Sequence, residues 1–194
     1  MNKLLDKYLC KKYPKIFVER KQSVAESCMG RGFECGDGWF HLLEELCYKI
    51  QDRINYRQRG IKEGWALGSE WKPIPQFVAL QVKEKFGALR IYYKGGDDTI
   101  GAWVDFVESL SAWVCENCGR HDQEVGRVSE GWIQGLCPTC AFEFGKTISQ
   151  RKDLVQLWKK VIKSRSNPKR SWKAVDELTR EDLGLKPKKK KEKK

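Results

Sequence analysis

The residues best equipped for chemistry are four cysteines: Cys115-Glu-Asn-Cys118, then eighteen residues, then Cys137-Pro-Thr-Cys140. A two-residue gap lets both sulfurs of a pair face one ion, and the intervening stretch is long enough for a hairpin to return the second pair. The spacing therefore predicts a tetrathiolate zinc ribbon. Four thiolates fill a tetrahedral shell and leave no position for water or substrate, so the expected Zn²⁺ is structural. The competing uses are a redox dithiol and an iron cluster. A thioredoxin-like site, however, calls for one Cys-x-x-Cys in a βαβ setting rather than two in one hairpin.

A second concentration of chemistry lies in Glu34-Cys-Gly-Asp-Gly-Trp-Phe-His41. Glu34 and Asp37 could hold a divalent ion with His41, one helical turn after Asp37, as base or ligand. The structural alternative makes Asp37 a helix cap and the glycines turns. Cys28, Cys35, His41 and Cys47 could converge on a second metal, although Cys47 also belongs to an apolar helix face where a thiol acts as a small hydrophobe. Gln81-Val-Lys83 on a strand, downstream of Asp37, suggests a metal-dependent nuclease arrangement in which Lys83 positions phosphate or water. Lys83, Lys85 and Arg90 lie among Phe86, Tyr92 and Tyr93, the mixture of cations and stacking rings that single-stranded nucleic acid favours. The alternative gives the rings to the core and the charges to solvent.

These residues need elements to hold them. Leu4, Leu5, Tyr8 and Leu9 predict a short helix over 2–12, ended before Pro14. Four glycines in the eleven residues from Cys28 to Gly38 inclusive signal an irregular segment. Asp37 then caps a helix with Phe40, Leu43, Leu46, Cys47, Ile50 and Ile54 on one face. Residues 57–76, with three glycines and two prolines, read as a loop. Alternation of Val78, Leu80 and Val82, then of Leu89, Ile91 and Tyr93, predicts a β-hairpin joined at Lys85-Phe-Gly87. Gly95-Gly-Asp-Asp-Thr99 supplies the cap of a helix carrying Ile100 to Val114. In the ribbon, Val125, Val128, Trp132 and Ile133 predict two short strands around a Glu130-Gly131 turn. Leu154, Leu157, Trp158, Val161 and Ile162 predict a last helix, followed by a further short turn at Trp172 to Leu178.

The order contains no βαβ repeat, which makes the fold α+β: a small hairpin sheet packed by amphipathic helices, with an embedded zinc ribbon and a disordered basic tail. The expected divisions are an α+β domain at 1–114, the ribbon at 115–145, a helix at 146–165 and the tail at 166–194. Of the 194 residues 40% are hydrophobic, and the formal charge is +12. Residues 159–194 hold 15 Lys and Arg against 5 Asp and Glu, which leaves 23 against 21 before them. The folded part is thus nearly neutral. The tail is either a solubilising end or an arm in which Lys188, Lys189, Lys190 and Lys191 bind phosphates without reading sequence. No apolar run long enough to span a membrane and no signal segment occur, so the expected setting is the cytoplasm, with the cysteines as thiols.

Three segments carry a resemblance: Cys28-x6-Cys35 continuing to Phe40, Gln81-Val-Lys-Glu-Lys-Phe-Gly-Ala-Leu-Arg-Ile-Tyr-Tyr93, and the two cysteine pairs with Gly131-Trp132 before the second. Over roughly residues 14–142 the chain resembles an uncharacterised family of small proteins of tailed phages and prophages. The glycine-rich stretch at 57–73 and the lysine-rich end fall outside that pattern. The resemblance implies a phage or prophage origin, hence a host-cell cytoplasm, and no particular activity. The leading expectation is a non-enzymatic, zinc-stabilised accessory protein that binds nucleic acid or a nucleic-acid-processing complex. The alternatives are a protein-interaction module aimed at a host machine or defence system, favoured by eight tryptophans, and a metal-dependent hydrolase built on Glu34, Asp37, His41 and Lys83.

Overall fold

The computed structural model describes residues 1–65, 71–121, 125–128, 133–144 and 148–149. The expected C-terminal helix, the short turn after it, the lysine tail and the Glu130-Gly131 turn lie outside the described residues. The rest is α+β. Helix α1 (Lys3–Lys12) leads through short 3₁₀ turns to helix α2 (Phe40–Lys62). Strands β1 (Val78–Lys85) and β2 (Ala88–Lys94) follow, then helix α3 (Asp98–Ser111). The ribbon adds β3 (Gly126–Val128), β4 (Gln134–Leu136), helix α4 (Pro138–Glu143) and β5 (Ile148–Ser149). Its sheet runs β4-β3-β5, and both pairings are antiparallel.

The core gathers the apolar faces of α1, α2 and α3 on one side of the hairpin. Leu9, Leu43, Ile50, Ile54, Val82, Leu89 and Ile100 are all essentially inaccessible. A separate small core of Val125, Leu136 and Ala141 surrounds the ribbon cysteines.

The hairpin closes through a two-residue turn, Phe86-Gly87, with both residues at positive φ (56° and 77°). That is the twist a tight hairpin requires, and it is costly for a phenylalanine. The expected alternation of β1 fails in its first half. A bulge between Ala79 and Gln81 shifts the register, so Ala79 and Val82 are buried while Leu80 is only partly so.

Both edges of this two-stranded sheet are occupied. On β2, Leu89 N donates to Ser111 Oγ (2.8 Å) and Ile91 N to Glu108 Oε1 (2.7 Å). On β1, the outer edge pairs with Glu34, whose N donates to Val82 O and whose carbonyl accepts from Glu84 N, both at 2.9 Å.

Three expectations are corrected. Helix α2 does not stop near residue 57 but continues to Lys62, because Trp71 packs where a side chain on Gly60 would stand: a Cβ there would lie 2.4 Å from the Trp71 ring. Tyr56 holds Trp65 and Trp71 at 5.9 and 6.1 Å between ring centroids. Helix α3 ends at Ser111, and Val114 bridges to His121 instead. Asp37 does not cap α2. It sits in a 3₁₀ turn, and its carboxylate accepts from Asn2 N and Asn2 Nδ2 at 2.6 Å each. Asn2 Oδ1 in turn accepts from Leu4 N and Leu5 N, so Asp37 steadies the cap of α1.

Candidate functional site

Cys115, Cys118, Cys137 and Cys140 converge, with their sulfurs all within 4.8 Å of one another. Cys118 Sγ and Cys137 Sγ are 3.7 Å apart. Metal–sulfur bonds of about 2.3 Å in a tetrahedron place sulfurs about 3.8 Å apart, so the set can hold one tetrahedral metal ion. Burial pushes the thiols of Cys115 and Cys140 upward, the latter to about 12. Asn117 Nδ2 donates to Cys140 Sγ at 3.3 Å, an amide–sulfur contact of the kind that favours a thiolate.

The first cysteine pair rests on the glycine-rich segment. Gly38 N donates to Glu116 O (2.8 Å), Gly36 N to Glu116 Oε1 (2.9 Å), and the indole of buried Trp39 to Val114 O (2.9 Å). A Cβ on Gly36 would lie 2.2 Å from Glu116 O, and one on Gly38 would lie 2.1 Å from Cys115 O. Glycine is needed here because the two backbones touch. The richness in glycine that marked residues 28–38 as a site of chemistry is thus accounted for, at these positions, by docking of the metal knuckle.

The other proposed ligands do not gather. Among the described residues no second set of three or more His, Cys, Asp or Glu donors converges. Cys28 is exposed. Cys35 and Cys47 are buried, and burial raises both thiols, Cys35 to about 12. His41 is exposed and packs edge-on against its neighbour Phe40.

Glu34, Gln81 and Lys83 do come together. Gln81 Nε2 donates to Glu34 Oε2 (2.9 Å), and Glu34 pairs with Lys83 across the β1 edge. They line an open groove of about 520 Å³ between the hairpin and the ribbon, along with Arg31, Lys85 and Phe86. Glu84 and Ile133 complete it.

Arg31, Glu84 and Ile133 escaped sequence reasoning. Arg31 is three residues from Glu34, a spacing that could have linked them; Ile133 comes from the distant ribbon and left no local sign.

Of the three hairpin cations, Arg90 is committed to the fold: its Nη1 donates to Glu108 Oε2 and Leu89 O, both at 2.9 Å. Lys83 and Lys85 have no ion-pair partner among the described residues. Instead Lys83 Nζ lies 5.2 Å from the Tyr92 ring centre, and Lys85 Nζ 5.6 Å from that of Phe86. Tyr92 is 43% exposed and Phe86 61%. Tyr93 is not part of this face; it stacks on Phe77 at 4.5 Å.

Among the described residues no helix is long and apolar enough to cross a membrane. No protein-family model, curated protein or solved structure matches the chain.

Proposed function

We propose that this chain is a zinc-stabilised phage or prophage accessory protein that binds single-stranded nucleic acid along the outer face of its hairpin. The observation that carries this reading is the pairing of two uncommitted cations, Lys83 and Lys85, with two exposed rings, Tyr92 and Phe86, beside an open groove. Cations hold phosphates and rings stack on bases, and neither demands a particular sequence. The metal ion is Zn²⁺ and acts as scaffold, since four thiolates leave it no open position. Lys188 to Lys191 extend the phosphate-binding surface as an electrostatic arm.

The test is binding of a fluorescent single-stranded oligonucleotide across a salt series. For single strands the slope of log affinity against log salt is about −0.7 per phosphate neutralised, so Lys83→Ala with Lys85→Ala should flatten it by about 1.4. Removal of residues 186–194 should flatten it further. Absence of salt-sensitive binding to single-stranded DNA and RNA would overturn the reading.

A second reading, Mg²⁺-dependent phosphodiester hydrolysis, rests on the juxtaposition of Glu34, Gln81 and Lys83. One carboxylate and one amide are a thin ligand set for Mg²⁺, which binds through carboxylates and substrate phosphates. Asp37, which would have strengthened it, is held by Asn2. Hydrolysis abolished by Glu34→Ala would favour this reading over simple binding.

A further inference from the structure

A surface that held only phosphates would gain nothing from a carboxylate in its midst, yet two line this groove. Glu84 is committed to the hairpin: it is buried, and its Oε1 accepts from Gly87 N at 2.6 Å, bracing the Phe86-Gly87 turn. Glu34 is different. Its backbone is locked to both sides of Val82-Lys83-Glu84, which fixes where the side chain starts. Its side chain is 34% exposed, and its carboxylate meets Arg31 only loosely at 3.8 Å. Among the described residues its one close partner is Gln81 Nε2, which keeps a second N–H to donate. The groove therefore presents two carboxylate acceptors beside an amide donor, within reach of an exposed ring and two lysines.

That pattern has a chemical complement. The pairing edge of guanine carries two adjacent donors, N1–H and the 2-amino group, next to the O6 acceptor. A carboxylate fork can accept from both donors while an amide N–H reaches O6. Thymine and uracil offer one donor between two acceptors, which a carboxylate repels. Cytosine and adenine each offer one donor on this edge, so either leaves part of the fork unmatched. Single strands are read in this manner, with bases turned out, stacked on rings and bonded along their edges. A groove of about 520 Å³ lies within the usual range for a small-ligand site, roughly 300–1,000 Å³.

We infer that Glu34 and Gln81 form a base-reading edge that selects guanine within a bound single strand. The inference rests on the nucleic-acid reading above and adds a specificity to it. Zinc-loaded, full-length protein is titrated with a thymidine octamer and with octamers bearing one central guanine, adenine or cytosine, at fixed ionic strength. A good two-point contact to a base is worth about 1–3 kcal/mol, so the guanine octamer should bind at least about fivefold more tightly than the others. Glu34→Gln removes one acceptor and one negative charge. It should erase the preference while raising affinity for the plain thymidine octamer, a pair of changes that mere loss of structure would not produce. Equal binding of all four octamers, or a guanine preference that survives Glu34→Gln, overturns the inference and leaves the binding function standing. If no octamer binds, the function itself falls, and the inference with it.

Discussion

Substituting alanine for Gly38 tests whether the metal knuckle and the helical core are one structure. The added Cβ would lie 2.1 Å from Cys115 O, 2.4 Å from Gly119 N and 2.7 Å from Glu116 O. All three are backbone atoms, so no side chain can swing aside, and the knuckle must retreat by about 1 Å to restore contact distance. A retreat of that size takes the Gly38 N–Glu116 O bond, now 2.8 Å, out of hydrogen-bond range and loosens the Trp39 Nε1–Val114 O bond, now 2.9 Å and buried. Each buried bond lost leaves desolvated groups that cost about 1–3 kcal/mol. The expected total is about 3–5 kcal/mol, or a fall in midpoint of about 10 °C for a domain of this size. Urea unfolding of the zinc-loaded protein, followed by far-ultraviolet circular dichroism, measures it. Gly64→Ala is the control: Gly64 has φ of 70° and, among the described residues, nothing within 4 Å of an added Cβ, so it reports backbone strain, about 1 kcal/mol. A Gly38→Ala cost no greater than that of Gly64→Ala would refute the docking argument.

Four other outcomes are expected. Phe86→Asn places at the first turn position a residue that tolerates positive φ; stability should stay within about 1 kcal/mol of wild type while oligonucleotide affinity falls about tenfold through lost stacking. Asp97→Ala removes both the α3 cap to Ile100 N and the two-pronged pair with Arg53, and should cost about 2 kcal/mol by urea unfolding. Hydrogen bonding to the Arg53 guanidinium holds the Asp97 carboxyl below its ordinary range, and that to Lys12 does the same for Glu44. Their contribution is therefore complete above about pH 5 and is lost progressively as pH falls below it, which acid titration of unfolding should show. Metal uptake must expel protons from thiols that burial holds protonated, so affinity measured by chelator competition should rise from pH 6 to pH 8, with protons released into weak buffer.

What the sequence made legible was local. Two Cys-x-x-Cys pairs declare their partners by spacing, a 3.6-residue apolar period marks α2, and two alternating runs around Phe86-Gly87 mark the hairpin. What stayed hidden depends on contacts between distant residues. The bulge near Leu80 follows from what packs on either face of β1 and not from the strand's own pattern. Asp37 looked like a cap for the helix it precedes, but it reaches Asn2, 35 residues earlier. Gly36 and Gly38 looked like turn residues beside a reactive cluster; their purpose appears only when residues 115–119 lie against them. The candidate groove was half legible: the sequence links Glu34 and Lys83, but with Asp37 and His41, which do not line it, while Ile133 arrives from another part of the chain.

The contact between Gly36 and Glu116 also sets an order of assembly. It spans 80 residues, whereas the β1–β2 hairpin closes over two and the cysteine pairs over eighteen. Closing the longest of these loops costs about 4 kcal/mol of chain entropy, so it should come last, after the hairpin has formed and the ribbon has captured its ion. On the proposed zinc assignment, a chain made without the ion would complete its helical core yet have nothing rigid to lay against Gly36 and Gly38. Stopped-flow refolding with and without added Zn²⁺ tests this: the slowest phase should disappear when the metal is withheld.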